Sequence, residues 1–372
     1  MQYSIIKNQN FPFHDEFGPA YIVKVYDPKI DLKGILVIDN LAFGPGKGGI
    51  RMAPTVTEEE IFRLARTMTW KNVLAGIPFG GAKSGIIYDS SKKQDKKMLI
   101  QAFARAIKEF LPNKYIAGPD VNTGELEMKW FVEAVKDRKA ATGKPKKLGG
   151  LPHELGSTGF GVAQATKVAA QILKLDLKKV TVAVEGFGNV GSFAFKHLKE
   201  MGAKIVAVSD SRGTAFFKGG LDYEKLKHVK DRGKSVSDYG EGAKMTREAI
   251  FALPADILVL ATVTDVINEK NKNAVQAKII VEGSNIPMRE NIEDELFKRG
   301  IVIVPDFVAN AGGVISSYAE YKGYSIARMF KLVEEKMTAT TKAVLTESLN
   351  KHKNPRAVAL DLAIKRIKNS KR

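Results

Sequence analysis

Residues 180–194, Val-Thr-Val-Ala-Val-Glu-Gly-Phe-Gly-Asn-Val-Gly-Ser-Phe-Ala, limit the possible folds more than any other stretch of this chain. An apolar run of strand length enters Gly186-x-Gly188-x-x-Gly191, and a helical pattern then continues to about Met201. A strand feeding a helix through that glycine spacing reads as the first β-turn-α unit of a doubly wound sheet. Gly186 permits the tight turn, Gly188 the close approach of a pyrophosphate, and Gly191 the packing of helix on strand. The helix start, Asn189 and Val190, supplies N–H groups and partial positive charge to phosphates. A second strand, residues 204–209, ends in Asp210, 19 residues after Gly191. An acidic side chain there accepts a hydrogen bond from an adenosine ribose 2′-hydroxyl, which slightly favours NAD. Ser211 and Arg212 could instead hold a 2′-phosphate, so NADP stays open, and Asp210 alone could be a turn residue. Strand-like runs at 256–260, 278–281 and 301–304, separated by helical stretches, complete a mostly parallel sheet.

That unit accounts for only part of the 372 residues, a length that suits two domains. The segment Thr142-Gly-Lys-Pro-Lys-Lys-Leu-Gly-Gly-Leu-Pro breaks the composition. It divides a first domain, 1–148, from a dinucleotide-binding domain, 149–324, with a helical remainder, 325–372. In that remainder Val333, Met337, Ala343 and Leu345 fit one amphipathic helix and residues 357–367 another, both expected to return to the first domain.

Hydrophobic content of 44% and charged content of 27% are those of a water-soluble globular chain. No apolar run approaches the ~20 residues of a membrane span, and the N-terminus lacks a leader pattern. With no cysteine, disulfides, thiolate metal sites and cysteine nucleophiles are excluded, and cytoplasm is the expected compartment. No metal site is expected. The net charge of +18 gathers locally at 144–147 and 365–372, without interleaved aromatics, so nucleic acid is not the expected partner. Steering of anionic small molecules needs no dedicated patch, and a lysine-rich composition or growth at high temperature would give the same excess.

In the first domain, Thr57 and Glu60 have capping-box spacing for a helix running to about Gly76. Its apolar stripe, Ile61, Leu64, Ala65 and Met68, is continued by Lys71. A lysine aimed into a core needs a route to water or an anionic partner, and alone it reads as a snorkelling helix end. The glycine-rich 76–85 that follows is read as a turn, neither helix nor strand, holding Lys83. Two nearby, partly desolvated cations push each other's pKa down, leaving one suited to act as a base and the other to hold a carboxylate. Lys47 stands among glycines and a proline in Phe43-Gly-Pro-Gly-Lys-Gly-Gly-Ile-Arg, which alone could be a solvated turn. Residues 97–111 form an amphipathic helix with Ile100, Phe103, Ala104, Ile107 and Phe110 inward. Asp120 follows a short strand, 115–117, and precedes a helix for which Asn122 and Glu125 have capping-box spacing. By itself it is a helix-start aspartate.

Taken together, these segments resemble the glutamate, leucine, phenylalanine and valine dehydrogenases. The likeness covers about residues 43–318 and rests on Pro-Phe-Gly-Gly-Ala-Lys-Ser-Gly around Lys83, Pro-Asp-Val-Asn-Thr around Asp120 and the Gly-Lys-Pro linker. It rests also on Ser-Thr-Gly-Phe-Gly-Val at Thr158, the glycine loop, Glu-Gly-Ser-Asn-Ile-Pro at Asn285 and Asp-Phe-Val-Ala-Asn-Ala-Gly-Gly-Val at Asn310. Ser157 and Ser284 stand where the family has alanine, and His153 matches no motif and is given no chemistry.

The resemblance implies an N-terminal α/β substrate and oligomerisation domain, a Rossmann-like domain, and C-terminal helices packing back on the first. It also implies an NAD(P)-dependent amino-acid dehydrogenase whose catalytic pair is Lys83 and Asp120. Lys71 would meet the substrate α-carboxylate, and Thr158, Asn285 and Asn310 cofactor or substrate. Lys47 before the double glycine, with Ser317 on a later helix, matches the glutamate-specific members, so oxidative deamination of L-glutamate to 2-oxoglutarate and ammonia is expected. The cleft between domains would close to exclude water, and relatives are homo-oligomers, commonly hexamers. A leucine- or valine-type enzyme is the nearest alternative, since chain length and Ala-Thr-Val-Thr at 261–264 suit that branch. A basic binding protein lacking catalysis would keep the fold but damage the site, yet Lys71, Lys83, Asp120 and the glycine loop are intact.

Overall fold

The structure, a computed structural model, describes residues 2–6, 13–92, 94–152 and 155–370; His153 lies outside the described residues. The chain divides into two units. The first comprises Met1–Leu155, Val314–Met329 and Ala363–Arg372, the second Gly156–Gly313 and Phe330–Leu362.

In the first unit β1 (Gln2–Ile6), β2 (Tyr21–Asp27), β3 (Leu32–Asn40), β4 (Gly46–Lys47) and β5 (Ile50–Ala53) precede α1 (Glu58–Leu74). Then come β6 (Gly80–Ile87), α2 (Lys96–Ala106), β7 (Tyr115–Ile116) and α3 (Glu125–Val135). The sheet order is β1-β2-β3-β6-β4-β7, with β5 also paired to β6. Neighbours are antiparallel as far as β6, while β4 runs parallel to both β6 and β7. Successive strand residues point to opposite faces. Val23, Leu36 and Ile38 therefore pack with Phe103, Met128 and Phe131 of α2 and α3, while Ile22, Ile35 and Val37 pack with Ile61, Phe62 and Ala65 of α1. Both faces of β2 and β3 are thus covered.

Two local expectations are corrected. The supposed turn at 76–85 becomes strand from Gly80 onward, with Lys83 at its middle. Glycines here allow either close backbone approach or positive φ, and those at 80 and 81 serve the first. A Cβ on Gly81 would lie 2.3 Å from the backbone N of Thr69 on α1, and one on Gly80 1.8 Å from the carbonyl oxygen of Asn40. Of the four glycines at 76, 80, 81 and 85, Gly76 alone has positive φ, +60°. The second correction concerns α3, whose cap is Gly124 and not Asn122. Asn122 is left-handed, φ +61°, so the chain enters the helix two residues later, and Glu127 Oε2 accepts from the Gly124 N–H at 2.7 Å. The α1 cap is as expected, Thr57 Oγ1 accepting from Glu60 N–H at 3.2 Å.

The second unit runs α4 (Ser157–Ile172), β8 (Thr181–Glu185), α5 (Asn189–Glu200), β9 (Lys204–Asp210), β10 (Gly213–Phe216), α6 (Tyr223–Asp231) and β11 (Ala243–Met245). It continues through β12 (Ile257–Leu260), β13 (Ile279–Glu282), α7 (Glu290–Lys298), β14 (Val302–Val304) and α8 (Asp306–Ala309). Sheet order is β11-β10-β9-β8-β12-β13-β14, parallel from β9 to β14. The fully buried apolar residues of β12 and β13 reflect cover on both faces. The antiparallel edge β10-β11 was not anticipated, because these strands are short and β11 is largely exposed.

Three helices end the chain: α9 (Gly312–Tyr321), α10 (Ile326–Lys351) and α11 (Pro355–Ser370). Val333, Met337 and Leu345 are buried in α10, but Ala343 is exposed and Val344 takes the place expected for it. Residues 363–372 group with the first unit, where the Arg366 guanidinium donates to the carbonyls of Val73 and Leu74 at 2.9 and 2.8 Å. Both carbonyls lie in the last turn of α1, where that of Val73 also accepts from the Gly76 N–H at 3.1 Å.

Candidate active site

In the first unit the chemistry gathers on β6 and the strands beside it. Lys83 is held in the middle of β6 opposite Val37, with its side chain 8% exposed. Its Nζ lies 3.1 Å from Asp120 Oδ2, and Arg51 Nε of β5 donates to the same oxygen at 2.9 Å. Asp120 is fixed in turn by its own N–H, which donates to Thr123 Oγ1, whose hydroxyl donates to the carbonyl of Ile50. Burial lowers the Lys83 pKa, and the Asp120 carboxylate opposes it only partly. Burial would raise the Asp120 carboxyl, but Lys83 and Arg51 outweigh it and hold it below the usual range. Arg51 is thus the second cation on Asp120, and Lys47 is near enough for its charge to oppose that of Lys83, where lysines alone were expected. Arg51 carried a signal in the sequence, standing two residues after the double glycine Gly48-Gly49, but its partner Asp120 is 69 positions away.

Lys47 is no solvated turn residue. It is buried in β4, donating from Nζ to the carbonyl of Ala117 at 2.9 Å. The glycines after it are obligatory. A Cβ on Gly48 would fall 1.6 Å from the oxygen of Ala82, and one on Gly49 2.6 Å from that of Pro119. Tyr115 braces the same segment, its hydroxyl within hydrogen-bond reach of Gly48 O and Ser84 Oγ. Burial pushes the Lys47 ammonium down to about 7, with the charge of Glu320 opposing and those of Lys144 and Lys83 assisting.

Lys71 lies on the buried side of the last turns of α1, next to Asn72. Ser317 is half-buried on α9, one turn before Glu320. The Glu320 carboxylate accepts from Lys144 Nζ at 2.6 Å and from the N–H groups of Gly143 and Leu151 at 3.0 and 2.9 Å. It anchors the helix that carries Ser317. Glu320 and Lys144 were not singled out from sequence, although the three-residue spacing from Ser317 puts Glu320 on a neighbouring helical position.

In the second unit the glycine loop has the geometry its spacing requires. Gly186 has φ +105°, and a Cβ on Gly191 would fall 2.0 Å from the oxygen of Gly186. A Cβ on Gly188 would meet nothing within 4 Å, so its surroundings are open to a ligand. Asn189 and Val190 form the first turn of α5. Thr158 is the second residue of α4, and its Oγ1 would lie 2.9 Å from a Cβ on Gly313. Asn310 donates from Nδ2 to Asn285 Oδ1 at 2.9 Å, while Asn310 Oδ1 and Ser284 Oγ are buried without hydrogen-bond partners. An open glycine cradle at a helix N-terminus, with an orphaned amide oxygen on the same unit, fits a dinucleotide ending in a carboxamide.

Asp210 is differently placed from the expectation of a carboxylate free to meet a ribose. Oδ1 accepts from Arg212 N–H and Ser235 Oγ, and Oδ2 from Lys230 Nζ and Val236 N–H, all between 2.8 and 3.0 Å. Against burial, these donors hold its carboxyl down at about 2. Ser211 follows on the exposed side. Among the described residues no group of three or more His, Asp or Glu side chains could hold a metal ion, and no helix is long and apolar enough to cross a membrane.

Fold and site together define a two-unit α/β protein in which a Rossmann-like dinucleotide module is joined to a domain bearing a buried lysine–aspartate pair. The chain belongs to the Glutamate/Leucine/Phenylalanine/Valine dehydrogenase family, amino-acid dehydrogenases whose family model matches residues 149–372. The model of the Glu/Leu/Phe/Val dehydrogenase dimerisation domain matches residues 21–137. It is 40% identical to a glutamate dehydrogenase of Aeropyrum pernix, over 88% of this chain and 83% of the relative. It is 39% identical to an NADP-specific glutamate dehydrogenase of Saccharolobus shibatae, over 88% and 82%. The solved glutamate dehydrogenase of Peptoniphilus asaccharolyticus superimposes with a TM-score of 0.84 at 28% identity, over 95% of this chain and 91% of that one.

Proposed function

We propose that the protein catalyses the reversible oxidative deamination of L-glutamate to 2-oxoglutarate and ammonia with a nicotinamide dinucleotide. The observation that carries the substrate assignment is Lys47, a lysine buried beside two glycines that leave no room for side chains. A buried ammonium whose hydrogen bond among the described residues goes to a backbone carbonyl, with the Glu320 charge nearby but not bonded to it, is poised for an anion, and a substrate's second carboxylate supplies one. Two relatives at about 40% identity that carry the name glutamate dehydrogenase support the same reading.

Each side chain has a distinct task in this reading. Lys71 pairs with the α-carboxylate, and Lys47 with Ser317 holds the side-chain carboxylate, which together orient Cα. A bound oxidised nicotinamide would supply the acceptor for the hydride of Cα. Lys83, driven toward its neutral form by burial, takes a proton from the water that attacks the iminium carbon, and Asp120 relays protons at 3.1 Å. The dinucleotide's phosphates fall to Gly186, Gly188, Asn189, Val190 and Gly191, and its carboxamide to Asn285 and Asn310, with Thr158 beside them.

Both cofactors remain within reach of this site. A carboxylate offers about four lone-pair positions, and Asp210 has four donors on it already. A ribose 2′-hydroxyl would have to displace one of them, so Asp210 gives NAD a slight advantage only if one donor yields, and NADP stays open beside it. The match to a dimerisation-domain model supports a homo-oligomer, for which we favour a hexamer.

The test is reductive amination by the purified protein with ammonia, NADH or NADPH, and a panel of 2-oxo acids. The reading requires 2-oxoglutarate to give the highest kcat/KM. Preference for 2-oxoisocaproate or 2-oxoisovalerate would move the protein to the leucine or valine branch.

A further inference from the structure

Three buried carboxylates meet one guanidinium in the second unit. Arg356, in the first turn of α11, donates from Nε to Glu293 Oε2 at 2.5 Å and from Nη2 to Glu282 Oε2 at 2.8 Å. Its Nη1 lies 3.0 Å from Asp306 Oδ1. The Glu282 and Glu293 side chains have no exposure and Asp306 has 5%. One guanidinium can neutralise only one of three carboxylates, so burial raises the Glu282 and Glu293 carboxyls, and their Oε1 atoms have no hydrogen-bond partner among the described residues. Well-packed apolar side chains would stabilise such a site more cheaply, so packing alone is a poor account of the cluster.

What the cluster holds is the loop after β13. Asp306 Oδ2 accepts from the N–H of Ile286 at 3.0 Å, and the Asp306 N–H donates to Glu282 Oε2 at 2.8 Å. Ile286 has φ +47°, a region that β-branched residues avoid, and its side chain is 50% exposed. Without burial to offset that strain, it is maintained by the hydrogen bond that the Ile286 N–H donates to Asp306, together with the one its carbonyl accepts from the Asp265 N–H at 3.0 Å. The residue before it is Asn285, bonded to Asn310, and Asn310 caps α8, which Asp306 begins. Both asparagines are therefore placed by elements that converge on Asp306.

We propose that Arg356 is a positioning residue for the nicotinamide half of the dinucleotide, fixing Asp306 and through it the loop at 284–286 and Asn310. The inference rests on the reading of Asn285 and Asn310 as carboxamide contacts. It assigns no contact between Arg356 and the cofactor.

The experiment compares binding of NADPH and of 2′-phospho-ADP-ribose, which lacks the nicotinamide, to the full-length protein by calorimetry. The variants are Arg356→Lys, Asp306→Asn and, as a check on the underlying reading, Asn310→Ala. Arg356→Lys and Asp306→Asn should weaken NADPH about tenfold, the size of one lost hydrogen bond, and leave the nicotinamide-free fragment unchanged. The KM for 2-oxoglutarate at saturating NADPH should move far less than the KM for NADPH. Should those two variants fail to fold, the combined Arg356→Met, Glu282→Gln, Glu293→Gln, Asp306→Asn protein removes the buried charges at similar volume and must show the same selective loss. Wild-type NADPH affinity in the Arg356 variants, with Asn310→Ala impaired, overturns the proposal. Equal loss of both ligands overturns it too, since that marks a general structural role. No effect of Asn310→Ala removes the carboxamide reading on which the proposal stands.

Discussion

Lys83 Nζ and Asp120 Oδ2 are 3.1 Å apart, and the oxygen between them also accepts from Arg51 at 2.9 Å. Asp120 is thus held ionised by Lys83 and Arg51, while burial lowers the pKa of Lys83. The pair is set to pass a proton with neither partner fully exposed to water.

Replacing Asp120 by Asn should remove the relay and leave Lys83 without its main anionic neighbour, so its pKa falls further. Steady-state kinetics should show kcat reduced by about 10²–10⁴ with dinucleotide affinity within about twofold, in keeping with loss of general acid–base catalysis. A kcat within about threefold of wild type would exclude Asp120 from proton transfer.

Lys47 gives a second, pH-dependent expectation. Its ammonium, pushed down to about 7 by burial, is charged below that pH and increasingly neutral above it. An anionic side-chain carboxylate needs the charged form, so the KM for 2-oxoglutarate should rise roughly tenfold per pH unit above about 7. Because Glu320 raises the Lys47 pKa, Glu320→Gln should move the onset to lower pH. A KM flat from about pH 6 to about pH 9, roughly one unit below to two units above the Lys47 value, would contradict this account.

The Arg356 cluster bears on stability. Burial raises the Glu293 carboxyl to about 7, above the 4.5 of an exposed glutamate, so the folded state holds this proton more tightly than the unfolded chain. Its contribution is fully present below about 4.5 and is lost as pH rises toward 7. Thermal midpoints should fall across that window, and Glu293→Gln should flatten the slope. An unchanged slope in that variant would show that other groups set it.

Gly81→Ala tests the packing of α1 on β6. The added methyl would lie 2.0 Å from Thr69 Oγ1 and 2.6 Å from Ala65 O, both on α1, so helix and strand must separate. A loss of about 1–3 kcal/mol in denaturant unfolding is expected, with weaker substrate binding because Lys83 shares the strand. A neutral substitution would mean that the helix yields freely.

The Rossmann-like unit was legible because its signal is local: a buried strand, three glycines at fixed spacing and a helix lie within some twenty residues. Lys83 and Asp120 were also marked by their motifs, but the strand that carries Lys83 was not. Glycine is poor in strands on propensity, and its reason for being at 80 and 81 is a neighbouring backbone that the local sequence does not reveal. The saturation of Asp210 depends on donors 20 to 26 residues downstream, and Arg356 meets Glu282 across 74. Such contacts leave no periodicity or spacing behind them. What sequence conveys well is a residue's own backbone requirement, and what it conveys poorly is which distant side chain has already claimed it.

The most direct measurement of the central claim is the substrate preference of Lys47→Leu beside the wild type, as kcat/KM for 2-oxoglutarate and 2-oxoisocaproate. The account requires wild type to prefer 2-oxoglutarate and the variant to lose at least about a hundredfold of that preference, because a buried carboxylate would be left without its cation. A variant that keeps the preference would contradict the assignment of Lys47 as the side-chain carboxylate clamp, and with it the glutamate reading built on that lysine.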